Sequence, residues 1–222
     1  MDAAEEIARD RKRGATALAE RALDLLARSR SAGPALAAAR PSMPLVGAVV
    51  RLALRRGVEE ARRRLRASLA GIVRQARDVL PPGGRFAVFG GSGTVLRVVR
   101  SVKGRIVDRF PADAALVGAD ALLPGGDFVN AKGTEAFLRR ARAARCGVFA
   151  VASELKRVKA APPLEPGFER VNGKVVHAVL TETGLHYPPL EAVAGVEPTW
   201  LDRGALEPGG GRGRCHPHHR RP

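Results

Sequence analysis

The chain has 222 residues, of which 45% are hydrophobic and 27% charged, and its formal net charge at pH 7 is +16. This balance predicts a globular protein rather than a disordered one, and no apolar run reaches the ~18–20 residues of a membrane span. Because the N-terminus is acidic, unlike a signal peptide, and the two cysteines form no disulfide framework, we expect a cytoplasmic protein that does not contact a membrane.

The excess of positive charge points towards nucleic acid, but its distribution weakens that interpretation. Most arginines of residues 1–80 are interspersed with alanines on predicted helices, where long charged side chains form an ordinary solvated face. Neither interleaved aromatic residues nor a known nucleic-acid-binding module accompanies them. We therefore expect contact with nucleic acid to be nonspecific only.

Helical periodicity dominates the first 80 residues. Apolar residues at steps of three or four predict helices over residues 2–30, 45–56 and 58–80, with a short helix ending near Ala39. Prolines separate them, because the residue before a proline is disfavoured in the α region. Residues 1–80 are therefore predicted to form a helical domain.

From residue 85 onward, short apolar runs alternate with helical ones. The predicted order is a strand at 85–89, a helix with Thr94 as its N-cap, a strand at 114–118, a helix at 133–146, and strands at 148–152 and 174–180. Such alternation predicts an α/β domain with a mainly parallel sheet, here over residues 85–205. A basic, disordered tail is predicted at 206–222.

One segment does not fit this scheme. Only about five residues separate a potential strand at 105–108 from the strand at 114, whereas a parallel crossover needs roughly a dozen or more. Either residues 105–108 lie outside the sheet, or a crossover has been lost at this point.

A glycine-rich loop joins the first strand to the next helix. At such a turn, free backbone N–H groups and the helix dipole favour an anion. The loop lacks the Lys-Ser/Thr of a P-loop, and Leu96 occupies the place of the third glycine in the dinucleotide fingerprint. The loop therefore predicts a phosphate site formed by Gly91, Ser92, Gly93 and Thr94. The alternative is a plain tight turn that binds no ligand.

Three other features could carry chemistry. Asp120 ends a buried strand at the edge of the sheet where α/β proteins bind ligands, and it is either a turn former or a tuned acid–base group. Gly14, inside the first predicted helix, indicates close approach of a backbone or ligand. Cys215 and its neighbouring histidines lack further ligands, so we predict no metal site and no cofactor.

In chain order, these segments resemble the family of the alpha, beta and delta subunits of translation initiation factor 2B. That family also contains methylthioribose-1-phosphate isomerase and ribose-1,5-bisphosphate isomerase. Residues 117–134 are similar to its signature Val-Gly-Ala-Asp … Gly-Asp-x-Val-Asn-Lys-x-Gly-Thr. Further similar segments are residues 13–15, 40–43, 93–96, 153–156 and 180–184.

The resemblance implies a helical N-terminal domain, a Rossmann-like C-terminal domain and a pocket between them for a phosphorylated small molecule, either a sugar phosphate or a nucleotide. It also implies a homodimer or a hetero-oligomer with related subunits. The residues it assigns are Arg13, Gly14, Ala15 and Arg40 at the phosphate, Asn130 and Lys156 elsewhere on the ligand, and Asp120 as the acid–base group of an isomerase.

The chain departs from the isomerases of this family at three places. Gly90 stands where they have a catalytic cysteine, and isomerisation between C1 and C2 needs a group that moves a proton. Ala131 replaces the lysine of the signature, and the segment Glu-Ser-Arg-Pro with its helix is missing after Arg100.

We therefore predict a non-catalytic, initiation-factor-2B-like regulatory or binding protein with a degenerate pocket. Its ligand is expected against Gly91–Thr94, with Arg13 or Arg40 reaching it. A sugar-phosphate isomerase of the same family, with Ser92 or water in place of the cysteine, is the alternative. A basic RNA-associated protein is the third interpretation.

Overall fold

The computed structural model describes residues 2–188, and it confirms the predicted fold class: a helical domain followed by an α/β domain with a mainly parallel sheet. The helices are α1 (Ala3–Arg9), α2 (Ala15–Arg28), α3 (Gly33–Ala38), α4 (Pro44–Arg56), α5 (Val58–Val79), α6 (Gly93–Ser101) and α7 (Thr134–Ala143). The strands are β1 (Arg85–Phe89), β2 (Arg105–Val107), β3 (Ala114–Gly118), β4 (Ala121–Leu122), β5 (Phe128–Ala131), β6 (Gly147–Val151), β7 (Phe168–Val171), β8 (Ala178–Thr181) and β9 (Gly184–His186).

Some of the predictions fall beyond these residues. The end of the α/β domain at 189–205 and the tail at 206–222, with Cys215, lie outside the described part of the chain. Within residues 2–188, no helix is both long and apolar enough to cross a bilayer.

The single helix predicted over residues 2–30 is wrong, because the chain breaks between α1 and α2. The Asp10 carboxylate accepts the backbone N–H groups of Lys12 and Arg13 and so competes with the helix for these donors. Gly14 is extended and caps α2, so the expectation of a glycine inside a helix is also wrong. In the rest of the helical domain, α4 packs against α2, α3 and α5 around buried side chains such as Leu18, Leu23, Leu45 and Val49.

The main sheet has the order β2-β1-β3-β6-β8-β9, with only the β8–β9 pair antiparallel among these strands. Alternate residues of each strand face opposite sides. Phe86 and Leu116 pack against α5 and α6, whereas Ala87 and Val117 pack against α7. The sheet is thus covered by helices on both faces, as its continuous apolar strands require.

Residues 105–107 belong to the sheet, so the alternative that placed this segment outside it is wrong. β2 pairs only with the first half of β1, and Val107 lies opposite Ala87. β3 starts opposite Phe86, on the other side of β1. Between the end of β2 and the start of β3, the chain crosses β1 and returns along it by only about one residue. Residues 108–113 are therefore long enough to make the connection without a crossover helix.

A small second sheet, in which β5 pairs antiparallel with both β4 and β7, was not predicted. β4 has only two residues, too few for a periodic pattern to reveal. The strand predicted over residues 174–180 is also shorter than expected, since Gly173–Val175 forms a 3-10 turn and β8 begins at Ala178.

The glycine loop is fixed by a contact with the end of β3. The N-cap of α6 is Ser92 rather than Thr94, and its Oγ accepts a hydrogen bond from the Val95 N–H at 3.4 Å. A Cβ atom at Gly118 would lie 2.9 Å from both Cβ and Oγ of Ser92. Gly118 is therefore the residue that lets this loop reach the strand end.

Replacing Gly118 with alanine should displace Ser92 and uncap α6. We expect Gly118→Ala to lower the free energy of unfolding by about 1–3 kcal/mol, the usual cost of overpacking. Gly93→Ala is the control, because nothing lies within 4 Å of a Cβ there and alanine is the better helix former. Chemical denaturation monitored by circular dichroism measures both; equal stability of the two variants would contradict this account.

Candidate ligand site

The site lies where the order of the sheet reverses. From β1 the chain passes through α6 to β2 on one side, whereas from β3 it proceeds to β6 on the other. At such a switch point the connections diverge and leave a crevice outside the carboxyl ends of the strands. Residues 90–92 follow β1 and Asp120 follows β3, so both predicted features lie at this edge of the sheet.

Asp120 and Lys156 carry opposite charges and act on each other electrostatically; Lys156 is buried, whereas Asp120 is partly exposed. Lys156 ends the 3-10 turn after β6, and its Nζ donates to the carbonyl oxygen of Ala119 at 2.5 Å. Burial raises the pKa of Asp120, although the positive charges of Lys156 and Arg40 act against this rise. Burial likewise lowers the pKa of Lys156, opposed by the charge of Asp120. Both groups therefore lie in a medium that penalises an unpaired charge.

Arg40 reaches this cluster from the N-terminal helices. Its side chain is only 2% exposed, and its Nε donates to both carboxylate oxygens of Glu165 at 3.2 and 3.1 Å. Its Nη1 donates to the Asp10 carbonyl oxygen at 2.5 Å. Arg40 and Glu165 also act electrostatically on Asp120, so four charged groups from separate segments meet at one place.

The loop before β7 is attached to the helical domain next to this cluster. Ser42 Oγ donates to the Pro163 carbonyl oxygen at 2.8 Å and accepts from the Glu165 N–H at 2.7 Å. Ser42 is fully buried. These bonds hold the Glu165 carboxylate against Arg40.

The turn that carries Lys156 is supported by α5. Ser68 and Ser153 share a buried hydrogen bond at 2.6 Å, and Ser153 Oγ also donates to Glu182 at 3.2 Å. Gly71 of α5 lies directly against Glu182, since a Cβ at Gly71 would be 2.7 Å from the Glu182 Cβ. α5 thereby sets the height of the turn relative to the sheet.

The segment around Gly14 lies near Arg40, but the side chain of Arg13 is exposed and contacts Asp10. This side chain donates to the Asp10 carboxylate at 2.5 Å. Gly14 is exposed, and Ala15 is buried at the start of α2. Asp10 therefore connects Arg13 to Arg40, through its carboxylate and its carbonyl oxygen respectively.

The glycine loop remains open on its outer side. Nothing lies within 4 Å of a Cβ built at Gly91 or Gly93, whereas Thr94 is buried at the start of α6. Gly90, at the cysteine position, has a φ of +79° that favours glycine. Within residues 2–188, no hydrogen bond joins Arg13 or Arg40 to this loop, so the predicted convergence on one phosphate stays a prediction.

Asn130 is buried and faces α7. Its Nδ2 donates to Thr134 Oγ1 at 3.0 Å, and that hydroxyl donates to the Ala131 carbonyl oxygen at 2.6 Å. The structure thus gives Asn130 a capping partner at the start of a helix. Among the described residues, no cluster of three His, Cys, Asp or Glu side chains has the arrangement of a metal site.

Sequence reasoning missed Asp10 and Glu165. Glu165 lies in a proline-rich stretch without periodicity, and Asp10 lies inside a helical pattern, so neither position carries a signal of its own. A lone carboxylate between prolines is the only hint, because prolines fix a loop rigidly enough to hold one side chain in place.

The fold is shared with solved proteins. No protein-family model and no curated protein sequence matches the chain. The chain is similar to the translation initiation factor eIF-2B of Pyrococcus horikoshii OT3, with 17% identity and a TM-score of 0.72 over 84% of this chain and 96% of that one. It is also similar to 5-methylthioribose 1-phosphate isomerase of the same organism, with 17% identity and a TM-score of 0.59 over 85% and 84% of the two chains.

A third similar structure is a tetrameric eIF2B-beta2-delta2 complex from C. thermophilum, with 16% identity and a TM-score of 0.64 over 83% and 88%. The fold is that of the initiation factor 2B subunits. The resemblance drawn from the sequence is thereby confirmed, since the neighbours are those subunits and an isomerase of the same family. At these identities the likeness establishes the fold alone.

Removing the charge of Lys156 should make stability depend on pH. In Lys156→Met, Asp120 loses the cation that most lowers its pKa. Its folded-state pKa therefore rises further above the unfolded value, and the folded state binds more protons than the unfolded state. Stability then falls as pH rises through that window. We expect a deficit against the unmodified protein of about 3 kcal/mol at pH 7, shrinking towards pH 4.

Denaturant titrations between about pH 4 and 8 measure this dependence. Arg40 and Glu165 act on Asp120 in both proteins, so their effects on its pKa cancel when the two proteins are compared. Lys159→Met, at an exposed lysine three residues further on, is the matched control and should change stability by less than about 0.5 kcal/mol. A deficit of constant size across this pH range would show that Lys156 does not compensate the Asp120 charge.

Proposed function

We propose that this protein is a non-catalytic, initiation-factor-2B-like binding subunit that holds a phosphorylated small molecule, a sugar phosphate or a nucleotide, at the switch point of its sheet. The observation that supports this most directly is the environment of Asp120. Within residues 2–188 its carboxylate has no hydrogen-bonding partner, yet it is densely surrounded and lies near two cations. It is also partly exposed. A carboxylate in this environment is free to accept hydrogen bonds from the hydroxyl groups of a ligand.

The glycine loop supports the phosphorylated part of the proposal. Its backbone N–H groups precede α6, whose N-terminus favours an anion by about 0.3–1 kcal/mol or more when partly buried. The open space beyond Gly91 and Gly93 leaves room for phosphate oxygens to approach these donors. A ligand with a phosphate at the loop and hydroxyl groups at Asp120 would use both ends of the crevice.

Two features argue against catalysis. Gly90 offers no side chain at the position from which a second acid–base group would act, and the Lys156 ammonium is engaged by Ala119. Isomerisation between C1 and C2 needs one group that moves the carbon-bound proton and a second that moves the hydroxyl proton, and Asp120 alone can fill only one of these roles.

The neighbours support a role in translation initiation and in an assembly. The printed names of the similar structures are those of initiation factor 2B subunits, one in a tetrameric complex of two subunit types. We propose that this chain likewise pairs with itself or with related subunits in the cytoplasm.

Ligand binding is tested by thermal shift with a panel of pentose 1- and 5-phosphates and nucleoside monophosphates. We expect at least one compound to raise the melting temperature, because a ligand that binds only the folded state stabilises it by mass action. The unphosphorylated sugars should have no effect at the same concentrations. Absence of any shift across the panel would refute the proposal.

Two substitutions should move the binding affinity in opposite directions. Gly91→Asp places a negative charge at the loop and should weaken binding at least tenfold. Glu165→Gln removes the carboxylate that occupies Arg40 and should strengthen it several-fold. Ala136→Asp, exposed on α7, adds the same charge elsewhere and serves as the control. If all three variants bind alike, the phosphate does not lie between the loop and Arg40.

A sugar-phosphate isomerase is the second candidate, favoured by the raised pKa of Asp120, which suits an acid–base group. We expect no aldose–ketose isomerisation of 1-phosphorylated pentoses in a coupled assay. Turnover that disappears in Asp120→Asn but persists in Asp113→Asn would establish this candidate instead.

A further inference from the structure

The outer side of α5 is strongly basic and belongs to no part of the site described above. Buried residues such as Leu65, Ile72 and Ala76 define its inner side. At 100° per residue, Arg66, Arg74 and Arg77 fall within an arc of about 80° on the opposite side. All three are exposed.

α6 extends this surface, because it packs beside α5 on the same face of the sheet. Its buried residues Val95, Val98 and Val99 turn inward, so that Arg97 and Arg100 are exposed. The turn after α6 adds the exposed Lys103. We call this surface the basic face; its residues are Arg66, Arg74, Arg77, Arg97, Arg100 and Lys103.

Among the described residues, no neighbouring carboxylate neutralises the charges of the basic face. Within residues 2–188 none of its six cations has a carboxylate within 4 Å, although other arginines such as Arg9, Arg139 and Arg170 do. Between residues 65 and 104 the sequence contains Asp78 as its only acid. Like charges held together on two packed helices create a positive potential that attracts a polyanion.

The lack of large exposed hydrophobic residues on α5 and α6 indicates which kind of polyanion the basic face fits. In the described part of the chain, the large exposed hydrophobic residues are Ile106 and Leu164, and neither lies on α5 or α6. A protein interface relies on buried aromatic or apolar anchors, and a membrane-surface helix relies on Trp, Phe or Leu. The basic face offers neither kind of anchor, whereas a phosphate backbone requires only cations.

We propose that the basic face binds the phosphate backbone of nucleic acid without reading its sequence. Neither α5 nor α6 carries an aromatic residue, so the surface lacks the platform on which unpaired bases stack. Recognition therefore depends on charge, and the affinity should fall steeply with salt. This proposal is independent of the ligand site, since no residue of the cluster around Asp120 takes part in it.

The test is fluorescence anisotropy of a labelled single-stranded RNA of about 20 nucleotides with the full chain, between about 50 and 200 mM salt. The face variant combines Arg74→Gln, Arg77→Gln and Arg97→Gln. The control combines Arg9→Gln, Arg139→Gln and Arg170→Gln, which removes the same charge from arginines that are ion-paired. Because each lost phosphate contact reduces the slope of log K against log salt by about 0.7, the face variant should lose about 2 from the slope and at least tenfold in affinity.

The control should bind within about threefold of the unmodified protein, and DNA of the same sequence should bind as RNA does. Equal losses in the two triple variants would overturn the proposal, because net charge rather than this face would then decide binding. Stronger binding of poly-glutamate or of anionic vesicles than of RNA would also overturn it. Should the face variant have a lowered melting temperature, Arg77→Gln alone must still reduce the slope by about 0.7.

Discussion

The structure depends on charges of opposite sign that meet where the helical domain joins the sheet. Asp120 follows a strand, Lys156 ends a turn, Arg40 comes from the N-terminal helices and Glu165 from a loop. Removing one partner of such a group leaves an uncompensated charge, which costs several kcal/mol. A displacement of either domain would separate these partners, so the charges fix how the two domains meet.

α5 connects this cluster with the rest of the molecule. On its inner side, Ser68 holds the turn of Lys156 and Gly71 admits Glu182, while its apolar residues pack on the sheet. Its outer side carries Arg66, Arg74 and Arg77, which have no carboxylate within 4 Å among residues 2–188. One amphipathic helix therefore both positions a buried site and presents a charged surface, because its two sides face media of different polarity.

Much of the fold could be predicted from the sequence, and the exceptions have physical causes. The α5 helix and the parallel strands follow from long periodic or apolar patterns, which depend on local residues only. The break at Asp10 was missed because a side chain competes there for backbone donors inside an otherwise helical pattern. β2 was uncertain because the short connection to β3 becomes feasible only when β2 pairs with half of β1. The position of Asp120 followed from topology, whereas its neighbour Glu165 is brought there by tertiary contacts that no local pattern records.

The two polar surfaces of the molecule select their partners by different physical means. In the cluster around Asp120, the cations Arg40 and Lys156 are balanced by Asp120 and Glu165, so the cluster carries little net charge and exerts little long-range attraction on an anion. Any phosphate bound nearby must be held mainly by directed N–H groups at Gly91–Thr94, or by displacing Glu165 from Arg40, and both routes depend on geometry. In the described part of the chain, no carboxylate lies within 4 Å of the basic face, and its donors are flexible arginine and lysine side chains. It attracts polyanions from a distance but does not discriminate among them. If both proposals hold, selective binding depends on the residues around Asp120 and Gly91–Thr94, whereas the arginines of α5 and α6 attract polyanions without selectivity.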